Sequence, residues 1–175
     1  MKKNLLFLAA ILIFTVAVNA QTQKIGYVDS QTILAQMPAA IKAQGDIDAL
    51  TNQWSAHLDS MRTKYQQDLA NYQKQSTAMT EKSKLAEQKN LVNEENEILN
   101  YNKVKFAQGT GEIYKKQDEI FGPVKAKIYK AIDEIAKREE MKFVFDKAGD
   151  VVLLYADPQY DITYKVLDYL KTGGK

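Results

Sequence analysis

Residues 46–108 contain neither glycine nor proline, so the usual punctuation of turns is missing over a very long stretch. Gln, Lys, Glu, Asn, Ala and Leu dominate it, a composition that favours the α-helix. Its apolar residues Ile47, Leu50, Trp54, Leu58, Met61, Tyr65, Leu69 and Tyr72 recur at steps of three or four, which places them on one helical face. The step pattern repeats every eleven residues, so this stripe runs nearly straight or drifts toward right-handed winding. A second stripe follows at Leu91, Ile98, Phe106, Gly109, Ile113, Ile120, Val124, Ile128, Ala131 and Ile135. Two helices with narrow matching stripes bury them against each other, which predicts a coiled-coil-like arm.

The arm is flanked by segments of another kind. "KIGYVDSQTILAQMP", Lys24 to Pro38, opens with a strand at Ile25, Tyr27 and Val28. Near the other end, "MKFVFDKAGDVVLLYADPQYDITYKVLDYLK" holds two β-runs, Phe143 to Phe145 and Val151 to Tyr155, around a loop containing Gly149, the pattern of a hairpin. Pro158 closes the second run, and Asp161 stands at a cap position before a short helix carrying Ile162, Val166, Tyr169 and Leu170. A two-stranded ribbon is marginal alone, and Ile25–Val28 is the expected third strand.

One continuous helix from Ala39 to Glu140 would hold the two β regions about 150 Å apart. Joining them requires the chain to go out and come back. The reversal is expected between Lys74 and Ser83, where "QKQSTAMTEKSKLAEQKN" loses its apolar pattern and Ser76, Thr77, Thr80 and Ser83 compete with helical hydrogen bonding. The predicted fold is α+β, a small β-rich base made of residues 21–38 and 141–175, with a long antiparallel helical hairpin over residues 39–140 and its tip near 74–83. So thin a base is expected to associate with other copies, covering sheet edges and burying more apolar surface.

The first residues read as an export signal. Lys2 and Lys3 precede an apolar run from Leu5 to Val18 interrupted only by Thr15, and Val18-Asn19-Ala20 supplies small residues for cleavage after residue 20. The run falls short of the roughly 20 residues a membrane anchor requires. The chain has no cysteine, which rules out disulfides, thiolate metal sites, cysteine nucleophiles and a lipid-bearing cysteine. Removing Lys2 and Lys3 leaves 22 basic residues against 22 acidic ones. That balance argues against a general nucleic-acid binder.

No constellation for catalysis is visible, and neither an enzyme nor a cofactor or metal site is expected. His57, the only histidine, sits beside Trp54 and Leu58 with no acidic or nucleophilic partner that the sequence places near it. Glu94-Glu95 and Glu139-Glu140 are adjacent on a helix and diverge by about 100°, as solvated charges do. Gly109-Thr-Gly111 and Gly122-Pro123 follow no strand and lack the Lys-Ser/Thr of a phosphate loop. Within helices they read instead as flexible points, with Gly109, Gly111, Gly122 and Pro123 as hinge candidates. The competing reading of Gly109 is a close helix contact on the stripe.

Taken together, "IGYVDSQTILAQMP", "FVFDKAGDVVLLYADPQYDITYKVL" and the helical arm between them resemble the Skp/OmpH-like periplasmic chaperones. Phe-Val-Phe-Asp, Leu-Tyr-Ala-Asp-Pro and Asp-Ile-Thr stand in that family's order. The resemblance implies a jellyfish-like homotrimer in the periplasm, whose arms enclose a cavity for unfolded outer-membrane β-barrel proteins without ATP. On that reading Tyr72, Met79, Lys82, Lys84, Lys89, Tyr101 and Tyr114 are the client-contact candidates, while Ile25, Tyr27, Val28, Phe143, Phe145, Val152, Leu154 and Ile162 form the base and its oligomer contacts. The charge balance departs from the strongly basic family pattern, so lipopolysaccharide or membrane-surface contact is left open. The rival expectation is an envelope adaptor whose arms dock one fixed partner.

Overall fold

The computed structural model describes residues 23–174, and the expected signal segment, residues 1–20, lies outside the described residues. In chain order the elements are β1 (Ile25–Val28), α1 (Ser30–Gln36), α2 (Pro38–Gln75), α3 (Glu81–Phe106), α4 (Glu112–Arg138), β2 (Phe143–Asp146) and α5 (Thr163–Lys171). Single 3-10 turns lie at Ser76–Ala78 and Pro158–Tyr160. β1 and β2 pair in parallel, with Ile25 opposite Phe143 and Tyr27 opposite Phe145. A parallel pair requires a long crossover between its strands. Here the crossover is the whole helical arm.

The expected hairpin is not formed. Val151 to Tyr155 is no strand, and Val152 and Leu154 are 81% and 95% exposed. Two local features turn the chain away after β2. The Asp146 carboxylate accepts from the backbone of Ala148 at 3.0 Å, and the Gly149 N–H closes back onto the Asp146 carbonyl at 3.2 Å. When the chain returns, Asp161 takes up a parallel bridge to Tyr27, so the position beside β1 that a third strand needs is already filled.

Nor is the base β-rich. Its core gathers Val28 and Ile33 from the N-terminal segment, Ala40 and Ala43 from the root of α2, Val124, Ile128, Ala131 and Ile135 from α4, and Ile162, Val166 and Leu167 near the end. Small residues at Ala40, Ala43 and Ala131 allow α2 and α4 to approach closely. The latter half of the second apolar stripe is therefore spent in the base, and the outer arm is α2 paired with α3.

The returning helix is two helices. Residues 107–111 separate α3 from α4. Gly109 has φ of +72°, a left-handed conformation that glycine adopts at little cost. A Cβ on Gly111 would lie 2.7 Å from the Ala107 nitrogen and the Lys105 carbonyl. The alternative reading of Gly109 as a close helix contact fails, because nothing lies within 4 Å of where its Cβ would be. At the far end α2 stops at Gln75, after 38 residues or about 57 Å. The Thr80 hydroxyl then caps α3 by accepting from the Ser83 N–H at 3.2 Å.

Candidate functional site

Three short sequence motifs converge in the base on one turn. At the end of β1, Asp29 caps α1 by accepting from the Thr32 N–H at 2.9 Å, while its own N–H donates to the Thr163 hydroxyl at 2.9 Å. The next N–H, of Ser30, donates to the Asp146 carboxylate at 3.1 Å. Asp161 in turn accepts from the Thr163 N–H at 2.9 Å, and the Ile162 N–H donates to the Tyr27 carbonyl at 3.0 Å. Val-Asp-Ser, Phe-Val-Phe-Asp and Asp-Ile-Thr are thus the pieces of one polar knot that ties both ends of the chain together. Thr163, at its centre, is buried.

The charges around the knot follow from these partners. Burial works to raise Asp146, but hydrogen bonds from Ser30 and Ala148 outweigh it and hold the carboxyl below its ordinary value. Glu139 is held low chiefly by Lys165, which donates to it at 2.6 Å, with Lys24 contributing from the other side. Burial, together with Asp161 and Asp157, pushes the Tyr27 phenol up. Gly26 is needed for packing, since a Cβ there would stand 2.2 Å from the Met141 sulfur.

The arm is held more sparingly. Leu58 on α2 and Leu91 on α3 are buried, and Trp54 meets Phe106 edge-on with ring centres 6.2 Å apart. Lys64 pairs with Asp68 on its own helix at 2.6 Å and with Glu94 across the seam. The second Glu94 oxygen is buried with no hydrogen-bond partner among the described residues. Lys105 pairs with Glu112 across the 107–111 break, and its ammonium also sits 4.5 Å above the Trp54 ring. His57 is exposed, its ring 4.9 Å from that of Tyr101. Among the described residues no group of three or more His, Cys, Asp or Glu is placed to hold a metal, and no helix is long and apolar enough to cross a membrane.

The sequence-predicted contact residues do not come together as one site. Tyr72 is half-buried, its hydroxyl accepting from the Gln88 amide at 2.8 Å. Met79 lies half-buried at the tip, and Lys84 is engaged by Glu81 at 2.8 Å. Tyr101 belongs to the cluster around Lys105, whereas Tyr114 is exposed beyond the break, on α4. Lys82 and Lys89 are exposed.

Of the base residues, Tyr27, Val28 and Ile162 are interior to one chain, while Ile25, Phe143, Phe145, Val152 and Leu154 face solvent. Gly109 and Gly111 shape the break between α3 and α4, and Gly122-Pro123 lies inside an uninterrupted α4. Sequence reasoning passed over Leu85, Val92 and Leu99, which are exposed on α3. Their seven-residue spacing was the available signal, obscured by the eleven-residue stripes that set the seam.

Comparison with known proteins agrees with this architecture. A family model described as Outer membrane protein (OmpH-like) matches residues 24–170. The crystal structure of a Caulobacter crescentus protein described as an OmpH-like candidate outer membrane chaperone has a similar fold, with a TM-score of 0.71 at 13% identity over 86% of this chain and 85% of that one. No curated protein sequence matches.

Proposed function

This chain belongs to the OmpH-like outer membrane protein family, and we propose that it is an ATP-independent holdase of the periplasm. It binds unfolded outer-membrane β-barrel precursors between its arms and keeps them from aggregating. The observation that carries this reading is the extent of the family match, which runs through the base knot and the arm alike. Assembly as a homotrimer is part of the proposal. Ile25, Phe143 and Phe145 on β1 and β2, and Val151 to Tyr155 beyond them, leave apolar surface in water, and its burial against other copies is favourable at about 25 cal/mol per Å². The proposal includes flexible points at 107–111, where two helices are separated, and at Gly122-Pro123, where proline inside the helix removes one backbone donor; the break and the proline support this reading. A holdase of this kind works through many weak contacts that add up only while the client stays enclosed.

The test mixes the mature protein with a urea-diluted outer-membrane barrel and, separately, with an unfolded soluble protein. Light scattering follows aggregation, and the mass of the complex gives its stoichiometry. Suppressed barrel aggregation, with three chains per complex, is the expected outcome. No protection at several-fold excess, with tight capture of one native envelope protein, would establish a fixed-partner adaptor in its place.

A further inference from the structure

We infer that the client-contact face of the arm is the flank of α3 beside its seam with α2, where Lys82, Lys89 and Lys103 stand next to Leu85, Val92 and Leu99, and that it takes extended unfolded polypeptide bearing apolar and acidic side chains. The inference rests on the holdase reading and adds the surface and the chemistry of the partner.

Leu85, Val92 and Leu99 are 67%, 56% and 59% exposed. Seven residues are nearly two helical turns, so they form a ladder with rungs about 10.5 Å apart on one side of the helix. Leu91 and Ile98, which turn toward α2, each precede a rung by one position and so sit about 100° from it around the helix. The ladder flanks the seam, and its exposure keeps it out of the contact with α2.

Lys82 precedes Leu85 by three positions, Lys89 precedes Val92 by three, and Lys103 follows Leu99 by four, the spacings at which helical side chains are neighbours. Each rung thus has a lysine beside it. Their side chains take part in no ion pair within the described residues, in contrast to Lys64, Lys84 and Lys105, which are all paired. Glu81, on the same side of the helix, is taken by Lys84 at 2.8 Å, and Glu95, three positions after Val92 and four before Leu99, is the one exposed carboxylate beside the rungs that is in no ion pair among the described residues. Three unpaired lysines against one carboxylate leave the face net positive alongside its apolar side chains.

That composition discriminates among occupants. A helix from a second copy would need two apolar residues per heptad to interdigitate, and the ladder offers one. Three side chains bury far less than the roughly 1,200 Å² of a stable protein interface. Separate apolar rungs with a lysine beside each suit a chain that shifts its contacts, and the net positive charge of the face draws acidic segments to it.

The experiment uses the full mature chain carrying Leu85→Gln, Val92→Gln and Leu99→Gln together. Glutamine is a good helix former and the three sites are exposed, so thermal unfolding and the mass of the assembly should match the native protein. Affinity for the urea-unfolded barrel should fall about tenfold or more, as expected when several weak contacts act together. A second variant, Lys82→Gln, Lys89→Gln and Lys103→Gln, should bind less well at low salt and show a flatter salt dependence.

Photo-crosslinkers placed singly at Val92 and at Gln66, an exposed site on α2, keep the test independent of variant folding. Barrel crosslinks at the first and few at the second are expected. Native-like binding by the glutamine ladder variant, or crosslinking favouring Gln66, overturns the inference while leaving the holdase reading intact. A native protein that holds no barrel at all refutes the holdase reading first.

Discussion

The base and the outer arm are both largely helical, yet they are held by different means. In the base, residues from four helices and β1 share one buried cluster with Val144 of β2 packed against it, and a polar knot joins segments more than a hundred positions apart in sequence. Along the arm, the buried apolar residues outside the base cluster are Ile47, Leu58, Leu91 and Ile113, supported by half-buried side chains and by ion pairs at Lys64 and Lys105. Burial of this density makes the base one cooperative unit, whereas a thin seam with polar clasps opens locally at lower cost. The contrast predicts a base that unfolds as a unit and an arm that opens more readily.

The sharpest way to break the contrast is to remove equivalent bulk from each region. Ile162→Ala, at a site 1% exposed, should cost about 2–5 kcal/mol of global stability, read as a lower denaturant midpoint. Leu91→Ala in the seam should shift that midpoint much less and instead speed amide exchange along α2 and α3. Equal midpoint shifts would mean that base and arm unfold as one unit.

Acid should act on the base next. Asp146 and Glu139 both titrate below their ordinary values in the folded chain, so protonation favours the unfolded chain. The stability they supply is present above a pH of about 4, the unfolded carboxylate value, and is lost as pH falls through their lower folded values. Asp146→Asn should make acid unfolding less steep in that range. An unchanged profile would remove Asp146 from the account of acid sensitivity.

The smallest expected effect lies at the joint. Lys105→Met keeps the aliphatic stem and deletes the charge that faces Trp54 and Glu112. It should loosen residues 107–112 by about 0.5–1 kcal/mol, seen as faster amide exchange there with the base unaffected. Unaltered exchange would leave the joint to the backbone geometry of Gly109 and Gly111.

Much of this architecture was readable in advance. The helical arm, its doubling back, and the meeting of Ile25 with Phe143 all follow from periodicity and from the need of a lone strand for a partner. Family membership followed from motifs whose physical reason is now visible, because Asp29, Asp146 and Thr163 are joined through a single turn. Periodicity is a property of the local chain, so it names the apolar face of each helix. It does not say what covers that face.

Where the chain returns in space settled the rest. Strand direction depends on the path of the crossover, and that path made the β1–β2 pair parallel and left Val151 to Tyr155 without a partner strand. The second stripe reads as continuous in sequence, yet the 107–111 break divides it between arm seam and base core. Leu85, Val92 and Leu99 stay in water because α2 covers only one side of α3. Burial is a property of neighbours in three dimensions, and a one-dimensional pattern supplies candidates for it without choosing among them.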